Sequence, residues 1–282
     1  MRPSVLELLA GHWQLSAGLL VQATACAALY AWGAIRLGRR WPLRRTASFM
    51  AGVAVVLVSL QSGLDSYADR LLSVHMQQHM LLLLVAPALL LGGRPVLLAL
   101  QALAPSRRTP VARTLARARG LTAPLVCLGV FCAVVGLAHV PALYDAALAH
   151  PALHDTEHAA FLAAGLMLWW PILDGDPARR LGALGRLGYL IVAMVPMGIV
   201  GAYLNRHVAL VYSPYATAAR TMGISAATDQ ADAGAIMWVV GDVIMVAIGL
   251  WATIGALVAE ERRQQARDAR AARMLTPEGQ AR

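Results

Sequence analysis

The chain has 282 residues, of which 59% are apolar and 14% charged, and its mean hydropathy is +0.59. This composition excludes a soluble globular protein and indicates an integral membrane protein. The formal net charge of +9 comes from arginines scattered between apolar stretches, without aromatic interleaving, so no nucleic-acid partner is expected. The sequence contains no lysine, which excludes a retinal protein because a retinal Schiff base requires a lysine amine.

Seven apolar stretches are long enough to cross a hydrocarbon core about 30 Å thick, which takes about 20 helical residues. Backbone groups cannot remain unpaired in lipid, so these stretches are predicted to be helices. The predicted fold class is all-α, an integral membrane bundle of seven transmembrane helices over residues 1–259, followed by a basic cytoplasmic tail at 260–282. The spans run roughly over residues 16–35, 47–64, 71–93, 122–143, 156–173, 187–206 and 231–259.

The arginines predict the orientation, because positively charged loops stay in the cytoplasm. They cluster in alternate connections, at 36–45, 107–119 and 179–186, and again in the tail. The N-terminus is therefore predicted to lie outside and the C-terminus in the cytoplasm. The first stretch lacks a basic leading region and a good cleavage site, so it is interpreted as a retained span rather than a signal peptide.

All eight histidines are predicted to gather at the outer side of the membrane. His75 and His79 lie near the outer end of the third span, and His139 lies near the end of the fourth. His154 and His158 open the fifth span. The remaining three are interpreted as surface residues: His12, His150 and His207.

The spacing of these histidines indicates a metal site. Side chains four residues apart on a helix are neighbours, so two imidazoles of one helix can hold one ion. Ionisable groups within a span are candidates for function, whereas the plainer interpretation is hydrogen bonding between helices. Met76, beside His75, adds a thioether that suits the reduced copper ion.

Three separated segments carry a resemblance to a known family. They are HMQQHMLLLLVAPALLLGGRP, AHVPALYDAALAHPALHDTEHAAFLAAGLMLWWPI and DQADAGAIMW. Together they resemble the CtaG-type family of bacterial cytochrome c oxidase assembly factors. The positions that match the family pattern are His75, Met76, His79, His139, Pro141, His154, His158, Asp229, Gln230, Gly234 and Trp238.

The resemblance implies a multi-pass protein of the bacterial plasma membrane that helps to mature a haem–copper oxidase by handling copper, without being an enzyme. The expected partners are oxidase subunits, periplasmic copper chaperones and membrane lipid. We hypothesise that Glu157 and Asp229 orient ring nitrogens around one transiently bound copper ion. The hypothesised ligands are His75, His79, His139 and His158, with His154 or Met76 as exchangeable additions.

Three alternatives stay open. A zinc-dependent membrane hydrolase would use three histidines plus an acid, Glu157 or Asp65, to activate water. A haem protein would use histidines of facing helices as axial ligands. A metal-free scaffold would hold assembly partners through its helices. Asp242, near the middle of the seventh span, is not assigned by any of these interpretations.

Overall fold

The computed structural model describes residues 3–173 and 181–275, and within those ranges the chain forms helices and no β-strand. Arg179 and Arg180, which contribute to the predicted orientation, lie outside the described residues. The helices are α1 (Val5–Ala10), α2 (Ala17–Leu37), α3 (Leu43–Gln61), α4 (Gly63–Ala68), α5 (Leu72–Met80), α6 (Ala86–Gly92), α7 (Pro95–Ala102), α8 (Pro105–Arg117), α9 (Pro124–Ala138), α10 (Pro141–Ala149), α11 (Pro151–Leu173), α12 (Ala183–Arg206), α13 (Tyr215–Thr221), α14 (Ala226–Ala235) and α15 (Gly241–Leu275).

Among the residues that the structure describes, five helical stretches are long and apolar enough to cross a membrane, and a sixth crossing results if the bent pair α9 and α10 counts as one span. The helix α11 has 23 residues but is not among them, because its first turns carry polar residues from His154 to His158. The described part of this membrane protein is therefore all-helical, and the count of seven spans stays a prediction. The five stretches are Ala17–Arg40, Leu43–Gln61, Leu72–Ala102, Ala183–Arg206 and Ala226–Ala269.

The predicted fourth span is broken, whereas the sequence predicted one helix over 122–143. The helix α9 ends at Ala138, and α10 leaves it at an angle of 74°. Pro141 causes the break, because proline lacks an N–H donor and disfavours helical backbone at the residue before it. Val140 is accordingly extended, with φ −66° and ψ 122°. His139 lies at the bend.

Two π-helical segments interrupt the long helices beside the candidate site. Leu81–Val85 joins α5 to α6, and Ile236–Val240 joins α14 to α15. A π-helical turn is wider than an α-helical turn and departs from the α-helical hydrogen-bond pattern. Such turns frequently occur at functional sites. Both segments here follow directly on stretches that carry motif residues, His75 and His79 in one case and Asp229 in the other.

The helices cross closely at glycines. A Cβ atom added at Gly165 of α11 would overlap the backbone carbonyl of Leu83, and one added at Gly201 of α12 would overlap the backbone carbonyl of Gly234 of α14. Small residues at such crossings let helix backbones approach, which is how membrane helices associate. The core between them is filled by fully buried aromatic side chains, including Phe131, Phe161 and Trp169.

Candidate metal centre

The helix α5 places His75 and His79 one turn apart on the same face. Both side chains are fully buried, and their ring centroids lie 4.2 Å apart. Imidazole rings buried in this way need partners for their nitrogens, because an unpaired polar group inside a protein is costly. The pair is therefore either hydrogen-bonded within the bundle or available to a ligand.

Asp229 of α14 fixes the beginning of α5. One carboxylate oxygen accepts a hydrogen bond from the backbone N–H of Leu72 at 2.7 Å. The other accepts from the backbone N–H of Ser73 at 3.2 Å and from its hydroxyl at 2.5 Å. These are the free N–H groups of a helix start, so a distant residue supplies the cap. The sequence interpretation put Asp229 against a ring nitrogen, whereas the structure shows it bonded to the helix that carries the histidines.

His139 reaches the site from the bend between α9 and α10, and its side chain is only 7% exposed. Its Nδ1 donates to the backbone carbonyl of Val135 at 2.7 Å. Its Nε2 then carries the lone pair and has no hydrogen-bond partner. The ring centroid lies 6.3 Å from that of His79, so the free nitrogen belongs to the same cluster.

The first turns of α11 bring two more imidazoles. The ring centroids of His154 and His158 are 4.2 Å apart, and both lie close to α5. The ring centroid of His75 is 5.2 Å from that of His154 and 6.2 Å from that of His158. Glu157 lies between the two histidines in sequence, and one of its carboxylate oxygens is buried without a hydrogen-bond partner. Five imidazoles from three parts of the chain therefore meet in one place.

The donor atoms form two overlapping sets. The first contains His75, His154 and His158, and the second contains His75, His79 and Glu157. Within each set the donor atoms all lie within 4.8 Å of one another. His75 belongs to both sets, so the two sets are adjacent.

The residues of the cluster fit a metal ion. The Nε2 atom of each of the five histidines is buried without a hydrogen-bond partner, and His79 lacks a partner on both nitrogens. Such nitrogens would be expensive in a closed protein core. Neutral imidazole is a good ligand for copper and zinc, so bound metal would satisfy nitrogens of His75, His79, His154 and His158. His139 borders the cluster but belongs to neither donor set.

Two tyrosines that the sequence analysis did not single out hold His75 in place. The Tyr215 hydroxyl donates to the carbonyl of Ala68 at 3.1 Å and lies 2.6 Å from His75 Nδ1. The Tyr144 hydroxyl lies 3.1 Å from the same nitrogen. Because burial raises the pKa of the Tyr215 hydroxyl well above its usual value, this group keeps its proton. Nδ1 of His75 then donates to Tyr215, which leaves the Nε2 lone pair free for a metal.

Gln230 holds the segment that leads to Tyr215. Its side-chain oxygen accepts from the backbone N–H of Val211 at 2.7 Å, and its amide nitrogen donates to the carbonyls of His207 and Ala209. The next residue of this segment, Tyr212, donates to the carbonyl of His139 at 3.0 Å. The Asp–Gln pair of the sequence motif therefore supports the site from two directions, through α5 and through the tyrosine segment.

The other candidate residues lie around the cluster. Met76 is buried in the main hydrophobic core. The three histidines interpreted as surface residues are all exposed: His12, His150 and His207. Asp65 accepts a hydrogen bond from Gln78 at 2.8 Å.

The fold and the site define a helical membrane protein with a buried cluster of histidines at one end of the bundle. The family model described as "Cytochrome c oxidase caa3 assembly factor (Caa3_CtaG)" matches residues 28–257. The chain belongs to this family of assembly factors, as its motifs indicated.

Curated relatives come from mycobacteria. "Uncharacterized protein MT0111" of Mycobacterium tuberculosis and "Uncharacterized protein Mb0105" of Mycobacterium bovis are each 30% identical over 228 residues, which is 76% of this chain and 34% of theirs. "Uncharacterized protein ML1998" of Mycobacterium leprae is 28% identical over 243 residues, 82% of this chain and 36% of its own. The chain thus spans about a third of the length of these relatives. No solved structure matches the chain.

Proposed function

We propose that the histidine cluster binds one copper ion as cargo and that the protein delivers it to cytochrome c oxidase during assembly. The observation that carries this proposal is the set of five imidazoles whose Nε2 atoms are buried and have no hydrogen-bond partner. The choice of copper follows from membership of a cytochrome c oxidase assembly family, because the resemblance to that family implies the handling of copper for a haem–copper oxidase. The expected role is not enzymatic, and the expected partners are oxidase subunits and periplasmic copper chaperones.

Charge favours the reduced ion. Neutral imidazoles add no charge, and Glu157 is the carboxylate that belongs to a donor set. A monovalent copper ion beside an ionised Glu157 gives a neutral site, whereas a divalent ion leaves one net positive charge. Burying a net charge is costly, so the cluster suits Cu(I) better than Cu(II).

The predicted topology implies on which side of the membrane the histidine cluster lies. The five apolar stretches, the bent pair α9 and α10, and α11 make seven crossings when each is counted once. With the arginine-rich connections in the cytoplasm, the N-terminus and the histidine cluster lie on the outer side of the bacterial plasma membrane. This is the side from which copper chaperones of the periplasm reach the protein.

Metal analysis of the purified full chain tests the proposal. After incubation with Cu(I) and removal of unbound metal, the native chain is expected to retain about one copper ion. The double variant His75→Ala/His79→Ala is expected to retain little. The control is His150→Ala/His207→Ala, which removes two exposed histidines and is expected to bind as the native chain does. Undiminished copper in the first variant would remove the proposed site.

A zinc-dependent hydrolase is the second candidate, because three imidazoles and a nearby acid also suit catalytic zinc. Asp65 lines the same cavity as His154 and His158, and burial raises the pKa of its carboxyl. Zinc in the purified protein, together with a lipid-cleaving activity that Asp65→Asn abolishes, would support this candidate against copper delivery.

A further inference from the structure

A cavity of about 710 Å³ leads to the cluster. It lies between the segment before α2, the helices α2 and α3, and the first turns of α11. Gln14, Gln22 and Asp65 line its polar side, and His154 and His158 lie on its wall. The cavity is therefore a space outside the cluster that shares two of its imidazoles.

Exposure decreases from the cavity toward the centre of the cluster. His154 is partly exposed, His158 is 6% exposed, and His75 and His79 are fully buried. The Nε2 atoms of His154 and His158 have no hydrogen-bond partner. An ion that arrives through the cavity therefore meets the imidazoles of α11 before those of α5.

The cavity has the chemistry of a cation path. Its described lining residues include the carboxyl groups of Asp65 and Asp155 and contain no arginine. Carboxylates in a cleft with low-dielectric walls raise the local concentration of cations. The side-chain amide groups of Gln14 and Gln22 add oxygen atoms to the cavity wall.

The two donor sets give the ion two adjacent positions. Two residues of the outer set (His75, His154 and His158) line the cavity, whereas no residue of the inner set (His75, His79 and Glu157) lines it. We propose that a copper ion reaches the protein through this cavity, binds first to the outer set, and then moves to the inner set while His75 stays bound. This inference rests on the proposed function of the cluster.

The move is a ligand exchange without a redox step. The bonds from the metal to His154 and His158 break, and bonds to His79 and Glu157 form. The oxidation state of the ion does not change, and the carboxylate of Glu157 balances its charge in the inner set.

The first test obstructs the cavity. Gly18 lines it, and a Cβ atom added there has only Ser16 Oγ nearby, at 3.9 Å, so Gly18→Trp places an indole in the cavity without overlap at the backbone. Copper uptake by the purified full chain is followed by stopped-flow loss of colour of the Cu(I)–bicinchoninate complex. We expect uptake at least tenfold slower in Gly18→Trp, with unchanged copper per chain. Gly129→Trp is the control, because Gly129 is exposed on α9 with no neighbouring atom within 4 Å.

A second variant blocks the cavity after folding. Leu15 lines the cavity and is 66% exposed, so Leu15→Cys can be modified in the folded protein with a bulky maleimide. Modification is expected to slow uptake, and the native chain treated in the same way controls for the exposed Cys26. Native uptake rates in both blocked proteins would overturn the access route while leaving the copper site intact. A native chain that binds no copper would overturn the proposed function and the route together.

The two positions predict opposite kinetic defects. His154→Ala removes an outer ligand and is expected chiefly to slow uptake. His79→Ala removes an inner ligand and is expected chiefly to speed the loss of bound copper to a competing chelator. Equal changes of both rates in the two variants would contradict the two-position path.

Discussion

Asp229→Ala offers the sharpest test of how the fold positions the site. The Asp229 side chain is 1% exposed, and its carboxylate accepts three hydrogen bonds at the beginning of α5. Alanine removes both acceptor oxygens, and with them all three hydrogen bonds, and leaves the backbone N–H groups of Leu72 and Ser73 unpaired. Leaving a buried donor unpaired costs about 1–3 kcal/mol, and losing a helix cap costs about 0.5–2 kcal/mol. Because these contributions overlap, we expect Asp229→Ala to lower the free energy of unfolding by about 2–4 kcal/mol.

The same change is expected to weaken copper binding, although Asp229 contacts no metal-donor atom in the described hydrogen bonds. A looser start of α5 moves His75, which lies three residues after Leu72. Loss of the hydrogen bonds that hold metal ligands in position typically lowers metal affinity about 10–100-fold. Thermal unfolding in detergent measures the stability, and competition with a Cu(I) chelator measures the affinity. Asp229→Asn keeps one carbonyl acceptor and is expected to lie between the native chain and Asp229→Ala. Native stability and native affinity in Asp229→Ala would refute the capping role.

Three further outcomes are expected. Tyr215→Phe removes the nearer of the two tyrosine hydroxyls beside His75 Nδ1 and is expected to weaken copper binding about tenfold in the same chelator competition. Tyr212→Phe breaks a bond to a backbone carbonyl only and is expected to have a smaller effect, so equal losses would contradict the role of Tyr215. Gly165→Ala is expected to destabilise the bundle by about 1–3 kcal/mol, because its Cβ overlaps the backbone of the neighbouring helix. The control Gly129→Ala is expected to keep a thermal midpoint near that of the native chain. A native midpoint in both variants would refute the close crossing. The purified protein is expected to show no Soret band in its absorption spectrum, and such a band would support the haem alternative.

The cluster illustrates which features of this chain are visible in the sequence. The spacing of His75 with His79, and of His154 with His158, follows from helical periodicity. The placement of both pairs at one end of the bundle follows from the order of the apolar stretches. The structure brings these rings together with His139, and whether they ligate a metal remains a prediction.

Other features depend on contacts between distant parts of the chain. Asp229 and Leu72 are 157 residues apart in sequence, and Tyr215 and His75 are 140 residues apart, so no local pattern predicts either bond. The motif marked Asp229 as a residue of interest, but its role as a helix cap appears only when α14 packs against α5. The sequence indicated the tyrosines only weakly, because Tyr144 lies within one of the three segments that carry the family resemblance.

The bend at His139 could have been predicted from the sequence. Pro141 disfavours helical backbone at the preceding residue, so an apolar stretch over 122–143 does not require a continuous helix. The π segments, by contrast, follow from packing, because Leu81–Val85 is an unbroken apolar run with no sequence signal for a wider turn.

X-ray absorption at the copper edge of the loaded, purified protein tests the central claim most directly. A copper ion held by the cluster is expected to show imidazole nitrogens as its main neighbours, at about the 2 Å typical of metal–imidazole bonds. That signal is expected to be lost in His75→Ala/His79→Ala and kept in His150→Ala/His207→Ala. Copper surrounded only by sulfur or by non-imidazole oxygen, or an unchanged imidazole signal in the first variant, would contradict copper binding at this site.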